Sequence, residues 1–338
     1  MTIYDIARMA GVSASTVSRV INDKPGIKDS TRKRVQKLLN EYGYTPDVAA
    51  RGLVMQATRF IGILIEDIRV EHHNESAFVI EQEMTKRGYT CITFSTGADP
   101  QCKADYIRIL EQRRVEGVVL IGSMFAIDAV RQSITQHLPN TPVVIANGVL
   151  NLPNSYSVLV DEKSGVEECV VMLAQAGRRR LAYITDADTS SNLNKQRGFF
   201  AGMLRCGLTA GEQQVIRAPG EGTNPRDALT RGHAAVRQLL AAMPEVDGLV
   251  CATDMLAIGC MQELQKQGIA VPRDMAVVGV DNTLCGQLFT PALTTLDNRL
   301  AAVCLAAARM LLDVLEGREV ASRQIILPTE IIRRDSTE

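Results

Sequence analysis

A short segment near the amino terminus carries the side chains best suited to specific recognition. From Ser13 to Val20 the chain reads SASTVSRV, a run of small hydroxyl residues with one arginine, Arg19. An arginine guanidinium donates two hydrogen bonds side by side, which matches the O6 and N7 acceptors of guanine in the DNA major groove. A helix over this segment would bury Val17 and Val20 on one side. Its outer side would present Ala14, Ser15, Thr16, Ser18 and Arg19, so we expect a recognition helix.

The residues before this segment predict the helix that positions it. Thr2 and Asp5 have the spacing of a capping box, and apolar residues recur at helical spacing up to Ala10. Gly11 permits a tight turn, and Ser13 can cap the next helix. Two short helices joined in this way predict a helix-turn-helix, the motif that places its second helix in the major groove. A capped helical hairpin without a DNA role is the alternative.

A third helix is expected from about Asp29 to Tyr42, ended by Gly43 and Pro46. Its apolar positions, which would pack on the first two helices, are Val35, Leu38, Leu39 and Tyr42. Its other side carries Arg32, Lys33, Arg34 and Lys37. These basic side chains could bind DNA phosphates, although basic residues on a helix often serve solubility alone.

The next segment, residues 47–55 (DVAARGLVM), is shorter than the roughly 12–15 residues that an isolated helix needs for stability. We expect it to fold only against DNA and a second copy of the chain, with Leu53 as an apolar wedge for an opened minor-groove step. An ordinary interdomain linker is the alternative.

Charge is distributed unevenly along the chain. Residues 1–59 contain ten Lys/Arg and five Asp/Glu, a net charge of +5, whereas the whole chain has a net charge of −1, so the other 279 residues carry −6. A basic head on an acidic body fits nucleic-acid binding confined to one end, although a basic solvated surface gives the same count.

Several classes of protein are disfavoured by composition and motifs. The eight cysteines show no CxxC or Cys/His spacing, which predicts buried free thiols and no metal site. No apolar run approaches the ~20 residues of a membrane span and no secretory segment is evident, so we expect a cytoplasmic protein. The common nucleotide-binding and hydrolase motifs are absent, so we expect neither an enzyme nor a cofactor. Asp254 and Asp281 could be paired catalytic carboxylates, but two sugar-binding acids are the commoner meaning.

From Phe60 onward, apolar strands alternate with helical segments, as in parallel sheets covered on both faces. The pattern restarts around Val158–Asp161. This predicts two consecutive doubly wound units with a ligand cleft between them.

The chain as a whole resembles the lactose repressor/galactose repressor family of transcription regulators. The resemblance rests on YDIARMAGVSASTVSRVIN, EYGYTPDVAARGL, IGILIED, GVVLIG, RGFFAGM, ATDMLAIGCM, VPRDMAVVGVDN and TPALTTLD, and it runs over residues 2–338. The first block is highly specific, whereas the strand motifs alone also fit periplasmic sugar-binding proteins. The resemblance implies an α/β protein with an N-terminal three-helix helix-turn-helix head and a two-subdomain, doubly wound, periplasmic-binding-protein-like core.

The domain boundaries that we expect follow from this resemblance. They are 1–45 for the helix-turn-helix DNA-binding domain, 46–58 for the hinge segment and 59–338 for the effector-binding core. Within the core we expect an N-subdomain of about 59–159 and 291–322, and a C-subdomain of about 160–290 and 323–338.

For DNA, the resemblance implies base reading by Ala14, Ser15 and Arg19 and minor-groove insertion by Leu53. The implied contacts to the DNA backbone are Tyr4, Ser13, Thr16, Ser18, Asn22 and Thr31, which position the protein without reading sequence. Lys28 stands where the family usually has a capping Ser, so we expect Asp29 to cap the third helix instead, with a shift of its start by one residue.

For the effector, the resemblance implies a site formed by the 66–76 loop, with His72 and His73, and by Asn147, Lys195, Thr253 and Asp281. Many relatives have Pro-Phe-Phe where this chain has Glu71-His72-His73, an Arg at Lys195 and an Asn at Thr253. Lys195 keeps the charge but not the planar, bidentate geometry of an arginine. With Asp281 retained, whose carboxylate suits paired sugar hydroxyls, we expect a polar and partly cationic pocket that binds a sugar or sugar acid rather than a purine. An exposed loop is the alternative reading of either histidine.

The expected function is that of a sequence-specific DNA-binding transcriptional regulator, a repressor of a carbohydrate-utilisation operon. As a homodimer it would bind a pseudo-palindromic operator with an affinity that a small polar effector controls. A dimer is favoured over a tetramer because no Leu-heptad tail follows the last strand. The alternatives are a sugar-binding protein without a DNA role and a regulator of nucleotide metabolism with a purine co-repressor. The sequence fits an inducer and a co-repressor equally.

Overall fold

The computed structural model describes residues 1–21, 23–43, 58–209, 211–220 and 224–338. The chain divides into two compact units, Met1–Arg59 and Phe60–Glu338.

The described part of the first unit contains three helices, α1 (Ile3–Ala10), α2 (Ala14–Ile21) and α3 (Asp29–Glu41). Thr2 and Asp5 form the predicted capping box, and Gly11 makes the turn with a φ of 61°. The Ser13 hydroxyl accepts the Thr16 N–H at 3.2 Å, which caps α2. The buried core is Ile6, Ala7, Ala10, Val17, Val20, Val35 and Leu39.

The start of α3 differs from the expectation. The helix begins at Asp29, and Lys28 precedes it without a side-chain capping bond. Asp29 already lies within the first turn, so its carboxylate favours the helix through the N-terminal dipole rather than as a cap. The expected capping role of Asp29 is therefore wrong.

The described residues of the second unit form alternating helices and strands, and near the end of the chain they pass between two sheets. In order, the elements are β1 (Phe60–Ile65), α4 (Glu71–Lys86), β2 (Thr90–Ser95), α5 (Pro100–Gln112), β3 (Gly117–Ile121), α6 (Asp128–His137), β4 (Val143–Ala146), β5 (Ser155–Val160), α7 (Glu162–Gln175), β6 (Leu181–Thr185), α8 (Ser190–Arg205), β7 (Val215–Arg217), α9 (Pro225–Ala242), β8 (Gly248–Cys251), α10 (Asp254–Lys266), β9 (Ala276–Val280), α11 (Leu284–Leu288), β10 (Thr294–Asp297), α12 (Leu300–Leu315), β11 (Gln324–Leu327) and β12 (Glu330–Ile332).

The first sheet has the strand order β11-β5-β4-β3-β1-β2, and all of its pairs are parallel. Alternate residues of its strands enter two separate cores. Ile61 and Ile63 pack on the side covered by α4 and α12, whereas Leu64 packs on the opposite side with Ile107 and Leu110 of α5. Burial on both faces explains the near-continuous apolar strands.

The second sheet has the order β12-β10-β9-β8-β6-β7, in which β12 runs antiparallel to β10 and the other pairs are parallel. Helices α7 to α10 pack around it in one continuous core. The α/β class and the two doubly wound units predicted from the sequence are confirmed.

The expected subdomain boundaries need correction in the C-terminal part. We expected 291–322 to join the first half and 323–338 the second. Instead β10 pairs with β9 in the second sheet, and β11 pairs with β5 in the first. Helix α12 packs on the first sheet, and β12 returns to the second. Short apolar strands such as these fit either sheet edge, so their pattern does not show which sheet they join.

Candidate DNA interface and effector cleft

Helix α2 presents its polar side chains away from the core of the first unit. Arg19 and Ser15 are exposed and Ala14 is half-buried, while Val17 and Val20 face inward. The Ser13 hydroxyl lies 2.7 Å from that of Ser15 and so orders the first turn of the helix. The three residues implied to read bases therefore share the accessible part of α2.

The implied DNA-backbone residues are spread over all three helices. Tyr4 is 70% exposed, Ser13 is exposed, and Thr16, Ser18 and Thr31 are half-buried. Asn22, Leu53 and nearly all of the expected hinge at 46–58 lie outside the described residues.

The basic residues of α3 divide into two groups. Lys33, Arg34 and Lys37 are exposed and available to phosphates. Arg32 instead pairs with Asp23 and donates to the Lys24 carbonyl at 2.8 Å, which ties the α2–α3 connection to α3. Arg32 therefore has a structural role.

In the second unit, a cavity of about 410 Å³ lies where the two sheet-bearing halves meet. Its wall is formed by the start of α4 (Glu71, His72 and Glu75), the turn after β9 (Asp281, Asn282 and Thr283), the end of β10 (Asp297) and the start of α12 with the residue before it (Arg299–Ala302). The halves touch here, because the Glu71 carboxylate accepts the Leu284 N–H at 3.1 Å.

His72 and Asp281 face each other across the cleft, with 3.9 Å between Nδ1 and Oδ2. Burial and the nearby Lys195 lower the pKa of His72 to about 4. Burial raises the pKa of Asp281 to about 7 even though Lys195 opposes the shift. At neutral pH the imidazole is therefore uncharged, and Asp281 can donate or accept a hydrogen bond as its proton comes and goes.

The predicted 66–76 loop is wrong, because α4 begins at Glu71 and both histidines lie in its first turn. His73 is buried and is absent from the cavity wall; its Nδ1 lies 3.0 Å from the Asp67 carbonyl. Burial and the adjacent His72 lower the pKa of His73 to about 3. An exposed loop is thus not the environment of either histidine.

Lys195 lies on α8 and is buried, with 4% exposure. Its Nζ donates to the Ala252 carbonyl at 2.9 Å and to Asn192 Oδ1 at 3.3 Å, and it lies 3.6 Å from Glu162 Oε1. The same Glu162 oxygen accepts Asn147 Nδ2 at 3.2 Å and Ser191 Oγ at 2.7 Å. The structure therefore joins Asn147 of the first half to Lys195 of the second through Glu162.

Thr253 and Asp254 order the elements around Asp281. The Thr253 hydroxyl caps α10 by accepting the Leu256 N–H. Asp254 accepts hydrogen bonds from the Thr283 backbone (2.7 Å) and from the Thr295 hydroxyl (2.5 Å). Burial and the carboxyl of Asp281 raise the pKa of Asp254 to about 7 despite these bonds. Thr253 is not among the cavity-lining residues.

Sequence reasoning included Glu71 only as part of the 66–76 segment and missed Glu162 and Ser191. Glu162 follows Asp161, which caps α7, and an acidic residue in a first helical turn is ordinarily a solvated partner of the helix dipole. Nothing local to α7 signals that the next helix brings Ser191 and Lys195 against it.

Comparison with known proteins identifies the family. Residues 2–47 match the bacterial regulatory proteins of the lacI family, and residues 170–337 match a periplasmic binding protein-like domain. An HTH-type transcriptional regulator of Lachnoclostridium phytofermentans is 31% identical over 337 residues, 99% of each chain. The chain belongs to the lacI family of bacterial regulatory proteins. It is a DNA-binding transcriptional regulator and, like its relatives, not an enzyme.

Two further similarities extend over the whole lacI-family chain. The HTH-type transcriptional repressor PurR of Vibrio atlanticus is 28% identical over 338 residues, 100% of this chain and 98% of the relative. The fold is similar to that of the chain in a crystal structure of the lac repressor dimer bound to operator and the anti-inducer ONPF, with a TM-score of 0.87 at 23% identity, 100% coverage of this chain and 99% of the other. The resemblance inferred from the motifs is confirmed.

Two negative findings concern the part of the chain that the structure describes. It contains no helix long and apolar enough to cross a bilayer. Nor does it bring together three or more His, Cys, Asp or Glu residues in a way that could hold a metal ion.

Proposed function

We propose that this regulator is a repressor of a carbohydrate-utilisation operon whose operator affinity is controlled by a small polar effector, a sugar or sugar acid, in the cleft between the two core halves. The proposed molecule is a homodimer on a pseudo-palindromic operator. The observation that carries the effector proposal is the polar cavity that both halves share around Asp281.

The DNA contacts proposed are those implied by the family. Arg19 would read guanine, Ala14 and Ser15 would make smaller base contacts, and Leu53 would open the minor groove. Arg19 and Ser15 are exposed on α2, whereas the side chains of α2 that face inward are apolar. This separation of a polar outer side from an apolar inner side supports the base-reading part of the proposal. Contacts between DNA phosphates and exposed basic residues such as Lys33 would add affinity without specificity.

The chemistry of the cavity favours a hydroxyl-rich ligand over a purine. Carboxylates and the Asn282 amide can accept and donate hydrogen bonds to paired hydroxyl groups. Among the described residues that line the cavity there is no Phe, Tyr or Trp to stack on a planar base. His72 and His73 are proposed to form and support the wall, and Asn147, Lys195 and Thr253 to fix the residues around the ligand.

Three polar contacts bridge the halves and could link the ligand to their relative arrangement: Glu71 to the Leu284 N–H, His72 to Asp281, and Asn147 to Glu162. A ligand that binds among these groups has different contacts in different arrangements of the halves. It shifts operator affinity only by its differential affinity for those arrangements.

A thermal-shift screen of sugars, sugar acids and sugar phosphates tests the effector proposal. A ligand that binds the folded chain but not the unfolded chain raises the melting temperature. At a concentration of a hundred times Kd it stabilises the folded state by about 2.7 kcal/mol. Asp281→Asn should remove the shift, while Asp313→Asn, which changes a half-buried acid of α12 outside the cavity lining, should retain it. Shifts with purine bases alone would contradict the carbohydrate proposal.

A further inference from the structure

The charge of Lys195 is already balanced inside the protein. Its ammonium group is buried and faces three oxygen atoms, those of Ala252, Asn192 and Glu162. Two of its three N–H groups donate, to Ala252 and Asn192, and the Glu162 oxygen at 3.6 Å is an ion-pair partner beyond hydrogen-bond distance. A ligand anion that approached Lys195 would have to compete with the carboxylate charge of Glu162.

Glu162 is the neighbour that carries the opposite charge. It is 2% exposed, and its Oε1 also receives the Asn147 amide and the Ser191 hydroxyl. These donors hold the carboxylate in place beside Lys195. Since a buried charge is costly when its partner is removed, displacement of Glu162 by a ligand anion is unfavourable.

The remaining charges near the ligand are mostly negative. Among the described residues that line the cavity, Glu71, Glu75 and Asp297 are acids, burial raises the pKa of a fourth acid, Asp281, to about 7, and the one arginine, Arg299, is exposed. Glu162 and Lys195 lie outside this lining. His72 is neutral at pH 7 because burial lowers its pKa to about 4. An anionic ligand would therefore meet several carboxylates, and the one cation among the described lining residues, Arg299, is exposed to solvent, which weakens its attraction.

We infer that the effector is an uncharged polyhydroxy compound and that Glu162 is the specificity-determining residue that excludes sugar acids and sugar phosphates. The inference rests on the proposed function, since it narrows the ligand class of the same cleft. It differs from the cationic pocket that Lys195 alone would suggest.

An uncharged sugar can form several hydrogen bonds in this cavity without leaving a charge unpaired. Its hydroxyl groups can donate to Asp281 and to the Glu71 oxygen that does not bind Leu284, and they can accept from the Asn282 amide. A carboxylate or phosphate in the same place loses the donors and adds repulsion. With unit charges a few ångströms apart, this weakens binding by about tenfold or more.

The test compares matched ligands on the full-length chain by thermal shift and calorimetry. The probes are glucose, galactose and mannose, each against its uronate and its 6-phosphate. We expect at least one neutral hexose to bind, and its charged counterparts to bind about tenfold more weakly or not at all. A uronate or phosphate that binds wild type as tightly as the neutral hexose overturns the inference and leaves the proposed function intact. If no member of either class binds, the proposed function fails and the inference fails with it.

Two variants assign the effect to Glu162. Glu162→Gln retains an acceptor for Asn147 and Ser191 but frees the Lys195 charge, so uronate binding should strengthen by about tenfold. The double variant Glu162→Gln/Lys195→Met should lose that gain. Glu168→Gln, which makes the same change of charge at an exposed position of α7, is the matched control and should bind as wild type does. Circular dichroism verifies folding, and the wild-type comparison stands if a variant does not fold. Equal uronate affinity in wild type and folded Glu162→Gln would overturn the role of Glu162.

Discussion

Adjacent histidines in this protein have different environments because of helix geometry. Successive residues of an α-helix point about 100° apart, so in the first turn of α4 His72 lines the cavity while His73 is buried beside Asp67. The sequence places both near the end of β1, but it does not show the rotation of the helix about its axis. This rotation decides which residue a ligand can reach.

Arg19→Ala should weaken binding to the operator by about 1–3 kcal/mol and binding to random DNA far less, because a guanidinium that reads a base contributes mainly to specificity. Fluorescence anisotropy at fixed salt measures both affinities.

Lys33→Ala is the matched control for Arg19, because it removes one exposed positive charge from α3. It should weaken binding to the operator and to random DNA about equally. It should also reduce the slope of log affinity against log salt concentration by about one. Equal losses on both DNAs for Arg19→Ala would remove Arg19 from the base-reading residues.

The pKa of His73, lowered to about 3 by burial and by His72, makes stability depend on pH. Between its unfolded pKa of about 6.5 and its folded value, the unfolded chain binds the proton and the native chain does not. Stability from this group is therefore lost as pH falls, by at most about 2 kcal/mol from pH 7 to pH 5.

His73→Gln should remove this loss. Urea unfolding at pH 7 and pH 5 checks it, with wild type as the reference, because Asp254 and Asp281 act in the opposite direction in both proteins: their pKa values are raised to about 7, so protonation favours the native state. The same change between the two pH values in wild type and variant would show that His73 is not the group responsible.

At the scale of helices and strands, continuous apolar runs were the reliable signal. The apolar runs 60–65, 117–121 and 181–185 coincide with β1, β3 and β6 in the structure. Each is limited by polar or turn-forming residues, so the apolar run itself defines the strand.

The elements that the sequence did not reveal lack such limits. Helix α12, LAAVCLAAARMLLDVL, is apolar on most of its circumference, because it packs on α4 and the first sheet, and it shows little periodicity. The start of α4 at Glu71 was missed because its first turn, EHHN, is polar. That error placed the histidines in a loop, whereas Asp281 and Lys195 were identified as cleft residues through the family resemblance.

The close packing of α7 against α8 places Glu162 of α7 beside Lys195 of α8. A Cβ on Gly198 would collide with the backbone carbonyl of Lys163, so α8 approaches α7 closely at this point. Gly198→Ala should force the helices apart and destabilise the chain by about 1–3 kcal/mol.

Urea denaturation measures this effect, and calorimetry should show weaker effector binding in the same variant. Asn194→Ala, exposed on the same helix, is the control and should change stability by less than about 0.5 kcal/mol. Unchanged stability of Gly198→Ala would mean that the two helices tolerate a larger separation than the structure indicates.

At the scale of the whole molecule, the chain combines a basic head with a sensor core. The head carries the net positive charge and the core the negative charge, which limits electrostatic attraction for DNA to the head. The core contains a cleft bridged by Glu71, His72 and Asn147 from one half. Regulation requires that a ligand of this cleft alter the affinity of the head for its operator.

Operator affinity with and without the effector is the most direct test. DNA fragments selected from genomic DNA by the full-length chain would supply the operator, and the neutral sugar found by thermal shift would supply the effector. We expect the operator to bind about a thousandfold or more tighter than random DNA at the same salt, and the sugar to change its Kd by about fivefold or more. No preference for any fragment, or an operator Kd that the bound sugar leaves unchanged, would contradict the account.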